Sequence, residues 1–149
     1  MKELRGRAGT EVDAAPEQCF ELLAAVERYP AWFAVVREVE IFDPERNGTP
    51  GMARAELHVP QSPFAKDFRL RVAVRTERPV AVRLTRMPEG PQDPDRLELM
   101  WRVGAEDRTW LEFEFAAAAS FVPGFLPIGD AGNLIAQAVL KAAYDALTR

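Results

Sequence analysis

The sequence predicts an α+β fold in which a curved antiparallel β-sheet wraps around one long C-terminal α-helix. Three observations carry that expectation. The middle of the chain alternates apolar and polar residues with period two, and one face of the pattern is almost purely apolar from Leu57 to Phe115. The turns between successive alternating runs are short, as in an antiparallel meander with one wetted face. The only large helical pattern left to cover the apolar face begins near Asp130. A sheet closed over a helix encloses apolar space, and enclosed apolar space suggests a pocket.

Size and composition narrow the classes. A chain of 149 residues is expected to form one domain spanning 1–149. That length buries about 68–70% of the unfolded surface without cross-links. The single cysteine, Cys19, excludes an intramolecular disulfide and a cysteine-based zinc site. One histidine and one cysteine do not make a metal ligand set, and no cofactor is expected. The segment Met1–Arg7 lacks the apolar stretch of a secretory signal. No run approaches the ~20 apolar residues that span a bilayer. A cytoplasmic location is the default expectation. Net charge is −4, from 19 basic and 23 acidic side chains spread along the chain. A nucleic-acid partner would want a concentrated basic face, so none is expected.

The elements follow in order. A first strand is expected over Leu4–Asp13, with Ala8, Thr10 and Val12 sharing a face. Asp13 stands before Ala-Ala-Pro-Glu, which predicts an acidic cap and a proline in the first turn of a helix. Cys19, Leu22, Leu23 and Val26 recur on one side of that helix. Pro30 interrupts it, and Tyr29, Trp32 and Phe33 form an aromatic knot around a second short helical turn. Val39 and Ile41, alternating with Glu38 and Glu40, make the next strand, and Asn47-Gly48 with Pro50-Gly51 make its turn. Four further inward series follow: Ala53 to Val59, Phe68 to Val74, Val80 to Leu84, and Leu97 to Val103. Leu111, Phe113 and Phe115 close the set. Loops rich in breakers lie at Pro60–Pro63 and Pro88–Pro94. Arg and Glu side chains on the wet face are expected to pair across strands, at ~0.2–1 kcal/mol per pair.

In the last helix Asn133, Gln137, Lys141 and Asp145 form one polar stripe. Leu134, Ile135, Ala138, Val139, Ala142, Ala143 and Leu147 fill most of the remainder, which predicts a helix mostly buried against the sheet. Its alanines permit close approach. They leave either a cavity in front of them or simply tight helix–sheet packing.

Strand, two short helices, curved antiparallel sheet and long C-terminal helix together make the helix-grip arrangement. The segment from Val12-Asp-Ala-Ala-Pro-Glu-Gln-Cys-Phe through Tyr29-Pro-Ala-Trp-Phe33 resembles the opening signature of the START-like polyketide cyclase/dehydrase superfamily. There an apolar strand end, a proline-started helix and a "YP-x-W" turn occur in that order. Trp101-Arg-Val, then Thr109 and Phe113-Glu-Phe115, is similar to the closing strand pair of those proteins. The resemblance covers about Thr10 to Leu147. It implies a hydrophobic cavity between the sheet and the last helix. The superfamily includes lipid and sterol carriers, coenzyme Q-binding proteins, plant hormone receptors and aromatase/cyclases of polyketide synthesis, so the fold alone does not name the activity.

The expected ligand-contacting set is Tyr29, Trp32, Leu57, Phe68, Leu70, Leu84, Arg86, Leu99, Trp101, Phe113, Phe115, Phe125, Ile135 and Val139. Among polar residues, Arg37, Lys66 and Arg86 share parity with inward apolar neighbours, all toward strand ends. Arg86 is the one catalytic candidate. Turned inward it would suit an anionic or carbonyl-bearing head through charge-assisted hydrogen bonds; otherwise it is a solvated strand-end arginine. His58, the only histidine, is the general-base candidate by residue type. Its parity places it on the outer face with Arg54 and Glu56, and no motif sets a Ser or Asp beside it. Cys19 reads as a buried structural thiol. The apolar segment Phe121–Ile128 is either a lid over the cavity mouth, in transient contact with a membrane surface, or a buried connection.

The sequence favours binding or transport of a hydrophobic small molecule: a lipid, an isoprenoid quinone or a polyketide-like aromatic. Its apolar inner face lacks an acid–base pair. The alternatives are a cyclase, aromatase or dehydratase acting on a poly-ketone chain, and a protein-interaction module of the same fold.

Overall fold

The structure, a computed structural model of the chain, describes residues 3–59, 66–118 and 131–149. Strand β1 (Glu3–Val12) leads into α1 (Pro16–Ala24) and a 3-10 helix over Val26–Ala31. Six strands follow: β2 (Val36–Asp43), β3 (Gly51–Val59), β4 (Lys66–Glu77), β5 (Ala81–Arg86), β6 (Arg96–Ala105) and β7 (Thr109–Ala118). The last element is α2 (Ala131–Leu147). All strand pairs are antiparallel, and the order across the sheet is β1-β7-β6-β5-β4-β3-β2. The meander of β2 to β7 is thus completed by β1 pairing with β7. This is the helix-grip architecture the element order predicts.

Local departures from the sequence reading have physical causes. Pro16 does open α1, but the N-cap is Ala15 with no side-chain cap, so Asp13 does not cap the helix. Val26 is buried on the 3-10 helix rather than on α1, and Phe20 joins Cys19 and Leu23 on the buried side of α1. Val80 lies in the β4–β5 turn, exposed, with its N–H donated to the Glu77 carbonyl, so β5 starts one residue later. Gly48, at φ 76°, supplies the left-handed residue of the β2–β3 turn.

The core and the helix contact set the layering. Val82, Trp101, Leu111 and Phe113 on the inner face are almost wholly buried, together with Cys19, Phe20 and Leu23 of α1. Helix α1 packs against β5 and β6, and α2 packs against β1 and β7. The approach of α2 to β1 is close because glycine faces backbone. A Cβ on Gly132 would sit 1.7 Å from the Arg5 carbonyl oxygen, and one on Gly6 would sit 2.0 Å from the Gly132 carbonyl oxygen. Beside this contact the Arg7 backbone N–H donates to Asn133 Oδ1 at 3.1 Å, so the helix start satisfies a donor of the edge strand.

That contact selects which stripe of α2 is sealed. Gly132, Ala136, Leu140, Ala143 and Leu147 are buried. At 3.6 residues per turn, Leu134 lies about 200° from Gly132 and points away from the contact. It is 62% exposed, and Ile135 is 40% exposed. The expectation of a mostly buried apolar side therefore holds for Ala143 and Leu147, in part for Val139 and Ala142, and fails for Leu134, Ile135 and Ala138, which are exposed.

Candidate functional site

The register brings one end of each strand together. Leu4 pairs with Ala117, Leu99 stands between Leu84 and Phe115, Arg86 pairs with Val72, and Leu57 stands between Val36 and Phe68. Helix α2 begins at the same end, where Gly132 meets Arg5 and Gly6. Here the inner face is less closed. Leu57, Phe68, Leu70, Leu97 and Leu99 are half-buried, as is Val139 of α2. Leu84 and Phe115, which flank Leu99 in the same row, are buried, and so are Val82, Trp101 and Phe113 one row further in. The apolar face thus passes from a sealed core under α1 to a partly uncovered surface. An open hollow of about 390 Å³ at this end of the strands lies mainly on the outer face, lined by Glu3, Arg5, Thr85, Glu98 and Ala116, so it is not the apolar site.

The deeper wall is aromatic. Tyr29 and Trp32 have ring centroids 4.9 Å apart, Trp32 meets Trp101 edge-on at 6.3 Å, and Trp101 lies 4.5 Å from Phe113. Phe113 and Phe115 continue the run at 6.1 Å. Such offset and edge contacts suit the ring quadrupoles. The Tyr29 hydroxyl donates to the Leu23 carbonyl at 2.5 Å. Desolvation pushes the phenol pKa well up, so the group stays neutral. Among the described residues, Trp32 Nε1 and Trp101 Nε1 are buried donors with no hydrogen-bond acceptor. The Trp101 N–H approaches the Tyr29 oxygen closely enough to offset part of that desolvation, without reaching hydrogen-bonding geometry.

Arg86 turns inward from the end of β5, and its side chain is only 7% exposed. It is not a solvated strand-end arginine. Nor is it an open cation: one Nη donates to Asp93 Oδ2 at 2.8 Å and the other to the Asp95 carbonyl at 2.9 Å. Asp93 also accepts the backbone N–H groups of Glu89 and Asp95, at 2.9 and 3.0 Å. The Glu89 N–H first, then the Arg86 guanidinium and the Asp95 N–H, hold the Asp93 carboxyl at a pKa of about 2. The pair ties the β5–β6 loop to the inner face.

The other polar candidates lie elsewhere. Arg37 is the extra residue of a β-bulge between Val36 and Glu38, which breaks the parity that had placed it inward. It is exposed and stands 4.0 Å from Asp67. His58 is on the outer face as expected, but it has an acid beside it after all: Nδ1 lies 2.6 Å from Asp67 Oδ1 across the β3–β4 ladder. The His58 hydrogen bond lowers the Asp67 pKa. Counting the hairpin register outward from the Pro60–Pro63 loop is the sequence signal that could have found this pair. The Lys66 side chain, Phe125 and the whole Phe121–Ile128 segment lie outside the described residues. Among the described residues, no group of three or more His, Cys, Asp or Glu could hold a metal ion. No helix among them is long and apolar enough to cross a membrane.

Comparison with known proteins agrees with this architecture. A family model described as polyketide cyclase/dehydrase and lipid transport matches residues 12–148. The chain belongs to this family. Solved structures share this fold with the chain at very low identity. A START superfamily protein from Mycobacterium smegmatis superposes with a TM-score of 0.72 at 16% identity, covering 97% of each chain. The di-domain ARO/CYC BexL from the BE-7585A biosynthetic pathway gives 0.73 at 10% identity over 99% of this chain, which spans 50% of BexL. Ginseng major latex-like protein 151 from Panax ginseng gives 0.69 at 6% identity, covering 99% of each chain. No curated protein matches at a significant level.

Proposed function

We propose that this family member binds a hydrophobic small molecule, a lipid, an isoprenoid quinone or a polyketide-like aromatic, between the open end of the inner sheet face and α2. The observation that carries this reading is the half-burial of Leu57, Leu70, Leu97 and Leu99 on the inner face. Apolar surface left part-wet at the mouth of a sealed core returns about 25 cal/mol per Å² when a ligand covers it. The family description includes lipid transport, which supports the same reading.

Native mass spectrometry of protein purified from its host, and of protein soaked with phospholipids, quinones and aromatic polyketides, tests the proposal. One apolar molecule per chain is expected. Ligand-free protein across the whole panel overturns it.

A second reading, cyclisation of a poly-ketone chain, is supported by the likeness to the ARO/CYC protein and by the inward Arg86. Binding is favoured because Asp93 already neutralises that arginine and the His58–Asp67 pair lies on the opposite face. Turnover of a model poly-ketone that is lost in a folded Arg86→Ala variant would reverse the preference.

A further inference from the structure

We propose that the buried indole N–H of Trp32, beside that of Trp101, forms a hydrogen-bond-donor subsite, so that the ligand carries a neutral carbonyl oxygen within an apolar skeleton. The inference rests on the binding reading above and names the chemistry of its ligand. Two adjacent tryptophans bury donors without an acceptor. Buried polar groups are nearly always paired, because an unpaired one loses its hydration for nothing. Apolar filling alone would not call for an N–H: Phe33, Phe113 and Phe115 occupy neighbouring places in the same run with no polar atom.

The surrounding oxygens do not relieve Trp32. The Tyr29 proton is committed to the Leu23 carbonyl, and the Tyr29 oxygen lies nearest the Trp101 N–H. Trp101 therefore has a partner within a small shift, and among the described residues Trp32 has none. Trp32 also stands at the right place. It packs on Phe33, whose carbonyl accepts the Val36 N–H at the start of β2, and Val36 pairs with Leu57 at the open end.

The donor set selects the ligand group. A carbonyl oxygen is an acceptor with two lone pairs and brings no proton that needs a home. A hydroxyl brings a further donor to a place that lacks an acceptor. A carboxylate would bury a charge, and the inward arginine is already engaged by Asp93. A ketone, a quinone or an ester fits, and a plain hydrocarbon leaves the Trp32 indole unpaired.

Fluorene, 9-fluorenol and 9-fluorenone share one tricyclic shape and test the subsite directly. Wild-type protein is expected to bind fluorenone about tenfold more tightly than fluorene, with fluorenol below fluorenone. The fluorenone-to-fluorene ratio should collapse toward one in Trp32→Phe. In wild-type protein the Trp32 indole N–H resonance should move downfield on adding fluorenone and not on adding fluorene, an arm independent of how the variant folds. Equal binding of the two probes, or a preference unchanged in Trp32→Phe as a buried water alone would give, overturns the subsite and leaves hydrophobic binding standing. Failure of all three probes together with an empty lipid and quinone panel removes both.

Discussion

Asp93 gathers donors that come from two sides of one loop. Its carboxylate takes the Glu89 and Asp95 N–H groups and the Arg86 guanidinium, and its pKa of about 2 records that company. The folded-state pKa is depressed, so the stabilisation is complete above the ordinary carboxylate pKa of about 4 and fades as pH falls through about 2. Asp93→Asn removes the titration. The difference in urea midpoint between wild type and this variant should be flat from neutral pH down to about 5, then shrink between about pH 4 and 2. A difference that persists undiminished at pH 2 would show that the carboxylate charge is not what holds the loop. Parity in the sequence located Arg86, since β5 is regular to its end. Asp93 was not legible, because a loop residue has no period from which its direction can be read. Arg37 misled for a related reason: one bulged residue reverses the face of everything counted through it.

At the scale of elements, α2 is governed by its closest contact rather than by its average hydrophobicity. Alanine normally improves on glycine inside a helix by about 1 kcal/mol. At Gly132 the new Cβ would lie 1.7 Å from the Arg5 carbonyl oxygen, a rigid backbone atom. Overpacking of that kind costs ~1–3 kcal/mol, so Gly132→Ala should lower stability despite its better propensity. Leu134→Ala, on the exposed side, should stay within about 0.5 kcal/mol of wild type. Urea unfolding of the two variants measures both. If Gly132→Ala were neutral, the helix would have room to lift off β1, and the helix–strand contact would not set its depth. The sequence showed the polar stripe of Asn133, Gln137, Lys141 and Asp145 clearly. It could not show which apolar stripe is sealed, because a glycine partner over 120 residues away decides that.

For the whole molecule, the legible and illegible parts divide by range. Period-two alternation and turn residues are local signals, so strands and architecture could be read from them. Solved structures share this architecture with the chain at 6–16% identity, which fits a fold specified by pattern rather than by particular side chains. The candidate site depends instead on where burial stops along the inner face. Leu57 and Val82 look alike in the sequence, yet one is half-buried and the other sealed. That difference has a thermodynamic consequence. A ligand that covers only the open end stabilises the folded chain by mass action, ~2.7 kcal/mol at a free concentration of one hundred times Kd. For a chain of this size that raises Tm by about 5–10 °C. Stripping bound apolar molecules should lower Tm by a comparable amount, and restoring one should recover it. Substitutions at the two ends should then separate. Leu57→Ala should shrink the ligand-induced shift more than it lowers the Tm of stripped protein. Val82→Ala, beneath α1, should lower the stripped Tm while the shift survives. Equal effects of both variants on the shift would mean that the ligand, if one binds, does not sit at the end where Leu57 and Leu99 are left part-wet.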